Sequence, residues 1–80
     1  MLERLARSPK VVGLKQSRKA VESGNAVLAF VAEDADARLR ARFLALCQSC
    51  GVEVHPAASM QALGKACGIE VPCAFAAILK

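Results

Sequence analysis

Two uninterrupted apolar runs constrain this chain more than any other feature. Ala26 to Ala32 reads Ala-Val-Leu-Ala-Phe-Val-Ala, and Cys73 to Leu79 reads Cys-Ala-Phe-Ala-Ala-Ile-Leu. Each has the length of a strand and no polar alternation, so each is expected to be a strand covered on both faces. Helices must then lie above and below the same sheet. At 80 residues the chain is expected to form a single domain, residues 1–80. A domain of that size buries only about 60% of its unfolded surface, so every element has to serve one core.

The rest of the chain supplies those elements in alternation. Met1 to Ser8 carries Leu2, Leu5 and Ala6 at helical spacing and predicts one or two turns ended by Ser8-Pro9. A short strand over Lys10 to Gly13 precedes a helix from Leu14 to Ser23, with Gly24 as its stop and Leu14, Ser17 and Val21 on one face. After the Ala26 to Ala32 strand, Glu33, Asp34 and Asp36 favour the start of a helix running to about Cys50. Its expected buried stripe is Leu39, Phe43, Leu46 and Cys50, with Arg38, Arg40 and Arg42 elsewhere. Gly51 ends it, Val52 to His55 predicts a third strand stopped by Pro56, and Ser59 caps a helix running to about Cys67 with Gly68 beyond it. Ile69 to Pro72 is an expected loop before the last strand. The fold class is therefore α/β, a three-layer α/β/α sandwich on a four-stranded, mostly parallel or mixed sheet.

Composition excludes several functions. The longest uncharged apolar run, Val71 to Leu79, is half of the ~18 to 20 residues needed to span a membrane. Met1 to Ser8 intersperses Glu3, Arg4 and Arg7 with Leu2 and Leu5, unlike the apolar core of a secretory signal, so the cytoplasm is the expected compartment. Cys47-x-x-Cys50 falls near a helix end, not at the N-terminus where a dipole favours the thiolate, and Cys67 and Cys73 are spaced too widely for a zinc pair. The cysteines read as small buried hydrophobes. His55 stands alone, with no Ser, Cys or Asp placed to make a triad, and no phosphate-cradling loop is present. Neither enzymatic activity, a cofactor nor a bound metal is expected.

Charge points elsewhere. Net charge is +4, and residues 1–19 hold Arg4, Arg7, Lys10, Lys15, Arg18 and Lys19 against the single acid Glu3. Around Val11-Val12-Gly13-Leu14-Lys15-Gln16-Ser17-Arg18-Lys19 a strand gives way to a helix that has no Ser, Thr, Asp or Asn to cap it. That helix start already carries a partial positive charge, so adding Lys15, Arg18 and Lys19 makes sense if the end faces an anion. Lys15, Gln16 and Lys19 cluster there by three- and four-residue spacing. Phe30, Phe43 and Phe75 sit in apolar runs and there is no Tyr or Trp, so the chain lacks exposed platforms for stacking a single strand. A nucleic-acid partner would have to be read as a folded shape, with Ile69 and Val71 around Glu70 as a small apolar contact. The alternative is a protein-interaction or ribosome-associated module whose basic face docks an acidic partner.

The residues Gly13-Leu14-Lys15-Gln16-Ser17-Arg18-Lys19 and Leu63-Gly64-Lys65-Ala66-Cys67-Gly68-Ile69-Glu70-Val71-Pro72 resemble the ribosomal L7Ae/L30e family, closest to its small bacterial, ribosome-associated members. The likeness runs from about Leu5 to Leu79. It implies a monomeric, cytoplasmic ribonucleoprotein component that binds kink-turn RNA, a duplex sharply bent at a bulge flanked by sheared G·A pairs, in ribosomal or other structured RNA. By that likeness Lys15 and Gln16 contact the G·A bases, Lys19 reaches a base edge or phosphate, and Gly13 allows close approach. Ile69, Glu70 and Val71 pack on a base flipped out of the bulge. Lys15-Gln16 stands where many archaeal and eukaryotic relatives carry Asn-Glu.

Overall fold

A computed structural model describes residues 2–80. Four helices alternate with four strands: α1 Leu2–Arg7, β1 Lys10–Val12, α2 Leu14–Glu22, β2 Ala26–Ala32, α3 Ala37–Cys50, β3 Glu53–Ala57, α4 Met60–Ala66 and β4 Phe75–Leu79. Met1, expected to open the first helix, lies outside the described residues.

The sheet has the order β1-β4-β2-β3 and is mixed, as expected: β4 runs antiparallel to both β1 and β2, while β2 and β3 are parallel. The two apolar runs therefore become the two central strands. β2 is buried throughout except at Val27, and β4 except at Leu79. On one face Phe75 of β4 meets Phe43 of α3, ring centroids 5.0 Å apart. Phe30, paired in register with His55 and Ala76, points to the other face. α2 packs against α3, and α1 against α4, one pair on each side. The result is the three-layer sandwich, with Leu5, Val21, Phe30, Phe43, Leu63 and Phe75 among its fully buried side chains.

Several expected details differ. Pro56 does not stop β3 but sits inside it opposite Val31. β3 is an edge strand, and there a proline's missing N–H costs no ladder bond. Gly13 belongs to the start of α2 and not to β1. β4 begins at Phe75 instead of Cys73, whose amide donates sideways to the Met60 carbonyl at 2.9 Å. In α3 the buried residues are Phe43 and Cys47, with Leu46 half-buried and Leu39 and Cys50 exposed. α3 packs on the sheet along the i, i+4 pair Phe43 and Cys47, so Leu46 beside that row is only half-buried against the core, and the expected Leu39 and Cys50 drop out of the stripe. Cys47, Cys67 and Cys73 are buried as expected, and Cys50 is not.

Candidate nucleic-acid interface

Strand direction gathers the functional residues at one end of the sheet. Val12 pairs with Ala76, Val31 with Phe75 and Ala32 with Ala57, so the ends of β1, β2 and β3 lie in a row with the start of β4. Each of those three strands feeds a helix, and the starts of α2, α3 and α4 therefore share this end.

The three helix starts are finished differently. At α3, Asp36 accepts from the amides of Arg38 and Leu39 at 2.9 and 3.1 Å. At α4, Ser59 accepts from Ala62 at 3.0 Å, and Asp34, reaching across from the loop after β2, accepts from Met60 at 2.7 Å. The acids that sequence assigned to helix entrance thus serve two helices. At α2 the cap is Gly13, which has no side chain to offer. The first-turn amides of α2 have no side-chain acceptor, and Lys15, Gln16, Arg18 and Lys19 are all exposed around them. Among the described residues none of these cations is in an ion pair.

Gly13 is required for a reason that sequence could not supply. Its φ of 94° and ψ of 157° lie in a region essentially closed to residues with a Cβ. This conformation turns the chain from β1 into α2 while its amide donates to the Phe75 carbonyl at 2.8 Å. The start of α2 is thereby tied to the start of β4, and so to the loop that precedes it.

That loop runs from Gly68 to Ala74. Ile69 is half-buried against the core, Glu70 is exposed and Val71 is 61% exposed, the most exposed large hydrophobic residue among the described residues. Gly64 on α4 sets its position, because a Cβ there would lie 2.1 Å from the Val71 carbonyl oxygen. The loop backbone rests directly on the helix. A depression of ≈ 420 Å³ is lined by Gln61, Lys65, Ile69, Glu70, Val71 and Pro72. Gln61 and Lys65, one helical turn apart on α4, are additions that sequence reading missed. Their only signal was the i, i+4 spacing on the exposed face of the helix.

Gln16 and Lys19 line a separate cleft of ≈ 270 Å³ beside β1, with Val11, Ala20, Asn25 and Leu79 among its walls. The start of α2 and the loop before β4 thus share one end of the sheet, but the cleft of Gln16 and Lys19 runs back along α2 to Asn25 and Leu79 at the other end, and the two predicted sets line no common depression. No group of His, Cys, Asp and Glu residues that could hold a metal occurs among the described residues. Burial pushes the thiols of Cys47 and Cys67 up to about 11, away from the reactive thiolate, with the neighbouring Cys50 and Cys73 adding to the shift. His55 packs on Phe30 at 6.1 Å and contacts Glu53, away from this end of the sheet. No helix among the described residues is long and apolar enough to cross a membrane.

The chain is 44% identical over 69 residues to an RNA-binding protein of Bacillus pumilus, covering 86% of this chain and 84% of that protein. It is 41% identical over 70 residues to the RNA-binding protein YbxF of Geobacillus stearothermophilus, covering 88% and 85%. Among solved structures, the 15.5kD RNA binding protein of Giardia lamblia superposes with a TM-score of 0.86 at 30% identity, over 99% of this chain and 68% of that one. Residues 2–80 match the sequence profile described as the Ribosomal protein L7Ae/L30e/S12e/Gadd45 family, and the chain belongs to that family.

Proposed function

We propose that this chain is a non-enzymatic RNA-binding protein that recognises and stabilises kink-turn motifs in ribosomal or other structured RNA, acting as a cytoplasmic monomer. The observation that carries the reading is the open start of α2, uncapped and surrounded by unpaired cations, beside an apolar loop tip at the same end of the sheet. The RNA-binding names of its relatives support the RNA part of this reading.

The chemistry follows from the two surfaces. A-form RNA hides its base edges in a deep, narrow groove, whereas a kink opens that groove and exposes guanine O6 and N7, acceptors suited to Lys15 and Gln16. Lys19, one turn further along the helix, reaches a base edge or phosphate, and the amides after Gly13 add donors with no side chain in the way. Val71, with Ile69 behind it and Glu70 beside it, packs on the flipped-out base. Phe30, Phe43 and Phe75 are all buried, so stacking along a single strand is not available and folded shape must carry recognition. Because these contacts exist only in the bent RNA, binding draws the RNA towards the kink.

The test is a titration of the protein into a kink-turn RNA labelled at both helix ends, without added Mg²⁺, beside a control whose G·A pairs are made Watson-Crick. Energy transfer should rise for the kink-turn alone. Equal binding of both RNAs without bending refutes the proposal.

A further inference from the structure

The outer faces of α2 and α3 form a groove that leads away from the α2 start and carries its own cations. Both helices begin at the same end of the sheet, and Leu14 and Leu39 from their first turns line its mouth. Behind them Arg18 and Arg42 line the same depression of ≈ 220 Å³, with Glu22 and Leu46 further along. Arg38, exposed one turn before Arg42, continues the row towards the mouth. Arg40 does not belong to it, because its guanidinium donates to the Glu33 carbonyl beside β3.

Two arginines and a single carboxylate, Glu22, line one groove, so its charge is left net positive. Glu22 is one helical turn from Arg18, yet among the described residues neither Arg18, Arg38 nor Arg42 is in an ion pair. By contrast, the acids near the start of α3 are used: Asp36 caps α3 and Asp34 caps α4. Unpaired like charges on neighbouring helices cost stability and are relieved by an anion that both can reach. Arginine suits a phosphate especially, since its planar fork donates two parallel bonds.

We infer that this groove holds the phosphate backbone of one duplex arm of the bound RNA, with Arg18 and Arg42 on adjoining sides and Arg38 nearer the kink. The inference rests on the RNA reading above and extends it: the RNA would be followed past the kink, so affinity would depend on arm length. Leu14 and Leu39, at the mouth of the same depression, offer apolar contact without reading bases.

The experiment compares wild type with Arg38→Gln/Arg42→Gln on kink-turn RNAs in which each duplex arm in turn is short or long. Lengthening one arm should tighten wild-type binding and steepen its salt dependence. The double variant should bend the short-armed RNA as wild type does, but lose the gain from the longer arm. Its slope of log affinity against log salt should be smaller by about 2, one for each phosphate released, or about a 16-fold difference across a fourfold change in salt. Kink-selective binding by wild type that is indifferent to the length of either arm would overturn the inference and leave the kink reading intact. Failure to prefer the kinked RNA at all overturns both. Polyglutamate binding that is lost in the double variant, with no dependence on arm length, would assign the groove to an acidic protein segment and overturn the RNA assignment.

Discussion

Replacing Gly64 by alanine separates the position of the recognition loop from its chemistry. The added Cβ would stand 2.1 Å from the Val71 oxygen, 3.1 Å from the Val71 carbonyl carbon and 3.4 Å from the Cys73 amide nitrogen. All three are backbone atoms, so no side-chain rotation relieves the clash, and the loop must retreat by more than about 1 Å to reach ordinary contact. The retreat pulls on the amide of Ile69, bound to the Gly64 carbonyl at 3.1 Å, and that of Cys73, bound to the Met60 carbonyl at 2.9 Å. Alanine favours a helix over glycine by about 1 kcal/mol. Overpacking costs about 1–3 kcal/mol, and each weakened hydrogen bond about 0.5–1.5 kcal/mol. The balance is a net loss of about 1–5 kcal/mol. For a domain of this size each kcal/mol lowers Tm by about 4–8 °C. Thermal melting followed by circular dichroism measures the loss, and titration of the kink-turn RNA measures the displaced loop. Val71→Ala is the companion: it trims an exposed side chain, so RNA binding should weaken while stability stays within about 0.5 kcal/mol of wild type. A Gly64→Ala protein that melts higher than wild type and binds RNA equally well refutes the reasoning, because the helix would then have taken the methyl group without moving the loop.

Other outcomes follow from single groups. Gln16→Ala should lose discrimination between sheared G·A and Watson-Crick pairs at a cost of about 1–3 kcal/mol, and Lys19→Ala should lower the salt slope by about 1 if it holds a phosphate, both read by titration at several salt concentrations. The Ser17 hydroxyl is fully buried in α2 with no hydrogen-bond partner among the described residues. Ser17→Ala should therefore stabilise the fold, by about 1 kcal/mol or more in urea melts, because the orphaned group is removed and helix propensity improves. The thiols of Cys47 and Cys67 rise from 9.0 to about 11 on folding. Since the unfolded chain gives up these protons first, their contribution to stability is complete below pH 9 and is lost between pH 9 and pH 11, which urea melts across that range would show.

The order of elements, the two-sided strands and the chemistry of the α2 start were legible in the sequence because each is a local property. An apolar run of strand length, a missing cap and a cluster of lysines at helical spacing can be recognised without knowing what lies opposite them. The same locality explains the corrections. Pro56 reads as a strand breaker until β3 is known to be an edge, and Cys50 reads as buried until α3 is seen to be covered along a single row.

What tertiary structure alone decided is the assembly of the site. Sequence places Gly13 and Val71 far apart, and only the antiparallel entry of β4 between β1 and β2 sets the α2 start beside the loop before β4. The conformation of Gly13, the seat that Gly64 leaves for the Val71 carbonyl, and the reach of Asp34 across to α4 are long-range facts of the same kind. So is the meeting of Arg18 and Arg42 in one groove. Local sequence specifies which groups are present and which face of an element they occupy. Distances between elements depend on strand order and packing, and those are fixed by the whole core at once.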